Sequence, residues 1–543
     1  MPTMQADLLH DFIVVGAGSA GAIVASRLSE DGRYSVLLLE AGGWDRNPWI
    51  HIPLGVGKTI TNKKVNWAFQ TEPVPHLGDR SVYLACGKVV GGSGAINGMV
   101  HVRGQREDFD GWQEAGCDGW GWSDVLPYFR RSEDHYLGDT PLHGKGGPVS
   151  VTKSRTPSVL CDHFIAAGIN AGLERNDDFN GEKQDGVGVY DHTVRRGLRS
   201  NSAIGALRAA KRRPNLRIET RAQVERILFE GRTAVGVTYQ DARGNSHRVR
   251  ASREVVLCSG ALNTPKLLML SGVGPMAQLQ AHHLPVVAQS EEVGRNLQDH
   301  LAIRVVCKTR DPITVNDELR SWRKRLLMGA RFVFQRQGPL TFAAAQAGMF
   351  FRTRESEPQV DAQAFLMPFS VPGIGQYPHP FSAFTVSVTQ SWPSSRGRVE
   401  LRDANPRTPP TIHPNHLATE EDRQFFVRAL RKVRAVLATP PMDGVVSEEY
   451  LPGKAVTTDE QILDYVRSRS NTIYHPCGTC RMGSDPGAVV DPALRVRGVK
   501  GLRIADASIM PRITSGNINA TCLMIGEKAA DLILAAYTDH AAA

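Results

Sequence analysis

Cysteine is scarce in this chain, at eight residues in 543. That density rules out a disulfide-stapled scaffold. A Cys477-Gly478-Thr479-Cys480 spacing is present, but no thioredoxin-like unit surrounds it, so reduced thiols are the expectation. No apolar run reaches the roughly 18 uncharged residues that a membrane-spanning helix needs. The opening segment, Met1 to His10, has no basic stretch followed by an apolar one. The chain therefore reads as soluble and cytoplasmic, a reading compatible with peripheral contact at a membrane. There are no internal repeats and no low-complexity tracts. The net charge is +9, yet no aromatic-basic module accompanies it, so nucleic acid is not an expected partner. The densest basic groups are Arg195-Arg196, Lys211-Arg212-Arg213 and the stretch from Arg320 to Arg331. No metal site is expected. The length suffices for two or more domains around a sizeable interior.

What the sequence does hold begins at its N-terminal end. Asp11 to Val15 is a short apolar run, read as a buried strand. Gly16-Ala17-Gly18-Ser19-Ala20-Gly21 follows, then a helix of small apolar residues to about Leu28. Ser35 to Leu39 reads as a second buried strand, with Glu40 at its end. In such a unit the first glycine allows the tight turn, the second a close approach to a pyrophosphate, and the third close packing of helix on strand. The N–H groups at the helix start face the phosphates. Glu40 stands 24 residues after Gly16, near the spacing at which an acid accepts from ribose hydroxyls. The pattern indicates a dinucleotide site without choosing NAD or FAD. Gly57-Lys58-Thr59 imitates the end of a phosphate-binding P-loop, but Ile52 stands where the first glycine belongs.

Further along, Trp112 to Arg131, Val159 to Ala171, Ser200 to Ala210 and Glu420 to Leu437 read as helices. Leu216 to Glu219, Val224 to Phe229 and Ala234 to Tyr239 read as a meander of strands. Glu254 to Cys258 is another buried strand, followed by a helix from Thr264 to Leu270. From Asp311 to Pro452 the texture changes to alternating strand-like segments. Near the other end, Tyr474-His475-Pro476 and Gly516-Asn517-Ile518-Asn519-Ala520 offer a histidine and amides in segments that can meet.

Four blocks carry a resemblance. Gly87-Lys88-Val89-Val90-Gly91-Gly92-Ser93-Gly94-Ala95-Ile96-Asn97-Gly98-Met99 resembles the first sequence signature of the glucose–methanol–choline (GMC) oxidoreductases. The segment from Ser259-Gly260-Ala261 to Gly274-Pro275 resembles the second. Gly294-Arg295-Asn296-Leu297-Gln298-Asp299-His300 and the block from His475-Pro476-Cys477 to Met482-Gly483 are similar to two more. The match runs from about residue 10 to about residue 537.

The resemblance implies an α/β protein with bound FAD. A Rossmann-like FAD domain of the glutathione-reductase type would take residues 1–155, 223–310 and 459–543. A discontinuous α+β substrate domain would take 156–222 and 311–458. It implies that Gly16, Gly18 and Gly21, with Ser19 and Ala20, hold the pyrophosphate, and that Glu40 and Ala41 meet the ribose. Trp67, Val89, Gly91, Asn97, Gly98 and Val100 would contact the flavin, Val224 the adenine side, and Asp506 and Ala507 the ribityl-phosphate part. His475 would be the catalytic histidine and Asn519 its partner, with Asn517 the rival two residues away. Ile96 stands where some relatives carry a covalently linked histidine, so the FAD is expected to be noncovalent.

The stretch around Gln346 aligns with the place where choline-oxidising relatives often carry a carboxylate. A neutral amide and several alanines there point to an uncharged primary alcohol, aromatic or medium-chain aliphatic. Tyr474, Gln346 and Phe342 are the expected substrate contacts, with Phe365 and Trp392 as further aromatic candidates. Electrons would pass to a quinone or other carrier; an oxidase using oxygen and a non-redox hydroxynitrile lyase are the alternatives. The oligomeric state is open.

Overall fold

The computed structural model describes residues 8–154 and 157–538. Two seven-stranded sheets organise the chain. The first runs in the order Leu216–Thr220, Val36–Glu40, Leu8–Val15, Ser246–Leu257, Thr233–Gln240, Gln223–Glu230, with Leu502–Ile504 also paired to Ser246–Leu257. Leu8–Val15 is parallel to both its neighbours, with Phe12 opposite Val36 and Val15 opposite Leu39. The apolar run Val36–Glu40 is buried at every position, as expected for a parallel strand covered on both faces. Helix Ser19–Leu28 lies over this sheet and packs on the long C-terminal helix Asn519–Thr538. Gly526 makes that close approach possible, since a Cβ there would stand 2.7 Å from the Ala20 carbonyl oxygen.

The second sheet runs Val446–Leu451, Leu301–Thr309, Ala383–Gln390, Ala362–Met367, Ala347–Phe351, Gly186–Val189, and Asn471–Thr472 pairs with Leu301–Thr309. Its pairings are antiparallel. Period-two alternation divides its faces. Leu301, Ile303, Val305, Ala364, Leu366, Val386 and Val388 point into a core shared with helices Val159–Asn170 and Glu420–Leu437. Ala302, Arg304, Phe365, Met367 and Ser387 point the other way, into the wall of a cavity. The molecule is thus a mixed α/β fold, and the cavity reaches the face of the second sheet that bears Ala302, Arg304 and Phe365.

Several sequence boundaries move. Leu216–Thr220 does not join the meander; it pairs in parallel with Val36–Glu40, because the chain turns at Arg221, with φ of 58°, before the hairpin begins. Leu301–Thr309 belongs to the second sheet, and helix Asp459–Arg469 packs on it through Ile462, Tyr465 and Val466. Divisions at residues 222, 310 and 459 therefore cut through packed units. The helix expected over 112–131 is two, Arg106–Glu114 and Trp122–Ser132, separated at Gly116 and Gly119, which take φ of 86° and 79°. The segment expected as one helix from Ser200 is a π-helical turn, Ala203–Leu207, running into Arg208–Ala210.

Candidate active site

The nucleotide end is built from two glycine turns laid on each other. Gly16 takes φ of 104° and lies so close to the Cys258 carbonyl that a Cβ would stand 2.5 Å from its oxygen. A Cβ on Gly21 would stand 2.0 Å from the Gly16 oxygen, and one on Gly92 would stand 2.6 Å from the Gly18 Cα. Gly18 is different. Its φ is −73°, open to any residue, and a Cβ there would meet no protein atom nearer than 4.0 Å. Neither conformation nor packing requires glycine, yet the residue lines the cavity. A ligand group lying against the backbone is the remaining reason. The helix that starts at Ser19 has no side-chain cap, which leaves its first N–H groups for an anion.

Glu40 receives the Ala17 N–H at 2.9 Å and the Gly42 N–H at 2.7 Å. Burial pushes its carboxyl up to about 7, against those hydrogen bonds and the charge of Lys88. Each oxygen keeps a lone pair for a ligand hydroxyl.

One cavity of about 520 Å³ joins this end to His475. Its wall includes Gly16, Gly18, Ser19, Ala20, Glu40 and Ala41 from the first turn. Trp67, Asn97, Gly98, Val100, Val224, Asp506, Ala507, Asn519, Tyr474 and His475 also line it. Gly21, Val89 and Gly91 stand behind the wall: Gly21 packs helix on turn, Val89 sits in an apolar cluster with Ile50 and Ile96, and the Gly91 N–H donates to the Ala17 carbonyl at 2.7 Å. Asn97 is fixed by Arg199, a fully buried guanidinium that donates to its side-chain oxygen at 2.5 Å and its backbone oxygen at 2.8 Å. Nothing in the spacing of Arg199 marks it in the sequence. Asp506 accepts from the Gly260 N–H, the Thr264 hydroxyl and the Ser508 N–H, at 2.9, 2.6 and 2.8 Å.

At the far end, Tyr474 takes φ of 68°, and the next residue, His475, is held by its backbone N–H on Asp299 at 2.8 Å. Its ring Nδ1 lies 2.9 Å from Nδ1 of His300. Nε2 of His300 lies 3.0 Å from the Ser391 carbonyl, so it must donate there. The neutral His300 then has only an acceptor at Nδ1, and His475 must donate from its own Nδ1. Its Nε2 is left unprotonated. Burial, then the neighbouring His300, holds the His475 imidazole well below its ordinary pKa; burial takes His300 down to about 4. Both rings are neutral at working pH.

The amide expected to accompany His475 was that of Asn519. The structure gives that position to Asn517, whose Nδ2 lies 3.4 Å from His475 Nε2. Gln363 donates to the Asn517 oxygen at 3.2 Å, which turns the amide N–H groups toward the histidine. Asn519 instead accepts from the Ser19 hydroxyl at 2.7 Å, tying the start of its helix to the glycine turn. A count along the sequence cannot separate two asparagines two residues apart. Their directions are set by the loop, where Gly516 has φ of 133°, and by where the helix begins.

Two expected substrate contacts also fail. Gln346 is fully buried outside the cavity and accepts from the Ser158 N–H at 2.9 Å. Phe342 is buried and does not reach the wall; Ala344, Ala345 and Phe365 do. Trp392 likewise lies outside the wall and donates to Asp108 at 2.6 Å. Cys477 and Cys480 are free and buried, and burial raises both thiols well above their ordinary range.

Residues 10–302 match the N-terminal part of the GMC oxidoreductase family, and residues 393–526 match its C-terminal part. The chain belongs to the GMC oxidoreductase family. It is 43% identical over 533 residues to an alcohol dehydrogenase (acceptor) of Pseudomonas putida, covering 97% of this chain and 96% of that one. It is 40% identical over 526 residues to an oxygen-dependent choline dehydrogenase of Brucella anthropi, covering 96% and 95%. Among solved structures it resembles pyridoxine 4-oxidase from Mesorbium loti, with a TM-score of 0.87, 32% identity and coverage of 98% and 99%. Formate oxidase gives a TM-score of 0.91 at 29% identity, covering 98% and 100%. This GMC protein is an FAD-dependent alcohol oxidoreductase. The cavity fits its cofactor: Gly18 and the uncapped helix start suit the pyrophosphate, and Glu40 suits the ribose.

Proposed function

We propose that the enzyme oxidises uncharged primary alcohols, aromatic or medium-chain aliphatic, to aldehydes, with His475 as base and electrons leaving to a quinone or other carrier. The alcohol loses two electrons and two protons, and the carrier takes up both. Bound FAD supplies the oxidant for the carbon-bound hydrogen. The protein handles the oxygen-bound proton. An alcohol oxygen between His475 and Asn517 donates its proton to the free Nε2 and accepts from the Asn517 N–H. A neutral imidazole at that position suits general base catalysis. The Asn517 N–H stabilises negative charge as it grows on the oxygen.

The observation that carries the choice of alcohol is the charge of the wall. Its two carboxylates, Glu40 and Asp506, are both tied to backbone N–H groups, Glu40 beside the first glycine turn. The cavity-side face of the second sheet contributes Arg304, together with Phe365 and Met367. A cation would meet Arg304 there with no further carboxylate among the described wall residues to balance its charge, whereas an apolar chain meets matching surface. The P. putida relative, which is named for passing electrons to an acceptor, supports the carrier.

The test is the visible spectrum of the FAD-loaded protein under nitrogen. Benzyl alcohol and 1-octanol should bleach the oxidised-flavin band, and choline should not. A quinone should restore the band faster than air. Faster bleaching by choline would overturn the substrate reading, fast return in air would indicate an oxidase, and no bleaching by any alcohol would indicate a lyase. His475→Ala should keep FAD bound and slow bleaching by about 10²–10⁴.

A further inference from the structure

Helix Trp322–Gln335 buries only Met328 and Phe332, which lie one turn apart and seat it on the protein. On the opposite side the helix is apolar. Trp322, Leu326, Val333, Phe334 and Leu327 fall at the spacings that share one helical face. They are among the most exposed large side chains of the molecule: Phe334 is 84% exposed, Leu326 69% and Trp322 65%. An apolar face turned outward is the reverse of an ordinary surface helix, and a patch of this kind marks a docking surface.

The charge around it identifies the occupant. From Arg320 to Arg336 there are six basic residues and no acid. Arg323 lies within the apolar face, while Lys324, Arg325 and Arg331 flank it. Glu318, on the preceding helix, offsets Lys324 and Arg331 in part. Aromatic and leucine side chains bordered by Lys and Arg suit the boundary between acyl chains and headgroups, and anionic headgroups attract such bases. A second copy of this chain would suit it less. A two-fold pairing through the helix would set the same bases against each other.

We propose that this helix docks the enzyme on an anionic membrane surface, lying in the headgroup plane with Trp322, Leu326 and Phe334 inserted. The location gives docking a use. Pro339–Thr341 packs on the helix and also on Pro53–Gly55, and the chain then continues into Val56, Gly57 and Ile60 of the cavity wall. Docking holds that wall close to the bilayer, where apolar alcohols and quinones partition. The docking itself stands apart from the reading of the substrate, and vesicle binding is measured separately from alcohol oxidation.

The experiment is flotation of the FAD-loaded enzyme with vesicles of phosphatidylcholine and phosphatidylglycerol, compared with phosphatidylcholine alone. Binding to the anionic vesicles should exceed binding to the neutral ones by about tenfold or more and weaken with salt. The double variant Leu326→Asp/Phe334→Asp, and separately Arg323→Glu/Lys324→Glu, should each lose about tenfold or more of that binding. Both should keep the flavin spectrum, the melting temperature and bleaching by benzyl alcohol, which show that the fold and site are intact. Wild-type enzyme that stays unbound with anionic vesicles at low salt would overturn the proposal. So would a wild-type dimer that the Leu326→Asp/Phe334→Asp variant splits, since a second copy would then cover the face.

Discussion

His300 and His475 face each other Nδ1 to Nδ1 at 2.9 Å, and only one of the two can carry the shared proton. Because the Ser391 carbonyl claims the His300 Nε2 proton, the shared proton belongs to His475. The His475 ring is thereby kept in the tautomer whose Nε2 accepts. His300 is a positioning residue, buried and out of the cavity wall.

Substituting His300→Ala should release that constraint. Flavin reduction by alcohol should slow by about tenfold or more, short of the full ~10²–10⁴ of a lost base. His300 is also the second cause, after burial, of the low pKa of His475. Its removal should therefore move the acid limb of the pH–rate profile to higher pH. In the wild type that limb should lie below the ordinary imidazole range, because the base loses activity only when it is protonated. A rate loss with an unmoved limb would indicate a packing defect alone.

Asn517 and Asn519 should separate cleanly. Asn517→Ala removes the N–H that faces His475, and its loss, about 10²-fold, should appear in kcat with FAD retained. Asn519→Ala breaks the bond to Ser19 and should appear first in FAD retention on dilution. The reverse pattern would restore Asn519 as the partner of the base.

The room beside Gly18 for a Cβ makes its replacement informative. The Cβ of Gly18→Ala would come no nearer than 4.0 Å to a protein atom, so the apoprotein should melt within about 1 kcal/mol of wild type. FAD affinity should drop by about tenfold or more, as expected when a methyl group displaces a close backbone contact. Gly21→Ala, which would collide with the Gly16 carbonyl, should destabilise the apoprotein as well. Equal FAD binding by Gly18→Ala and wild type would remove the pyrophosphate from this turn.

Away from the cavity, Glu133 holds a buried polar cluster. It accepts from Arg103, and His101 and His143 lie 3.2 and 3.1 Å from its oxygens. Burial opposes its charge, but Arg103 and the two histidines overcome this and hold the carboxyl far below its ordinary range. Glu133→Gln should cost about 3–5 kcal/mol at neutral pH by leaving Arg103 buried without its anion. A depressed carboxyl stabilises above its unfolded pKa, so the gap between wild type and variant should close only under strongly acidic conditions. His143 has the opposite sign. Burial lowers it, but Asp178 and Glu133 raise it to about 9. Its contribution is full below the ordinary imidazole value and is lost as pH rises toward 9, so wild-type melting should decline over that window and the variant's should decline less.

Local rules made much of this enzyme legible in the sequence. The Gly16-to-Gly21 turn, the buried strands on either side and Glu40 follow from chain geometry over a few residues, and helix Glu420–Leu437 has the bounds read from the sequence. His475 stands in one of the four blocks that carry the family resemblance. Tertiary structure alone decided which residues face the cavity. Gln346, just before Ala347–Phe351, turns to Ser158 and Cys161, while Phe365 faces the cavity. The direction of two side chains at a helix start chose Asn517 over Asn519. Arg199 and His300 act through partners about a hundred and 175 residues away in the chain. Such contacts exist only after folding, because hydrogen-bond geometry across segments has no periodicity that a sequence can carry.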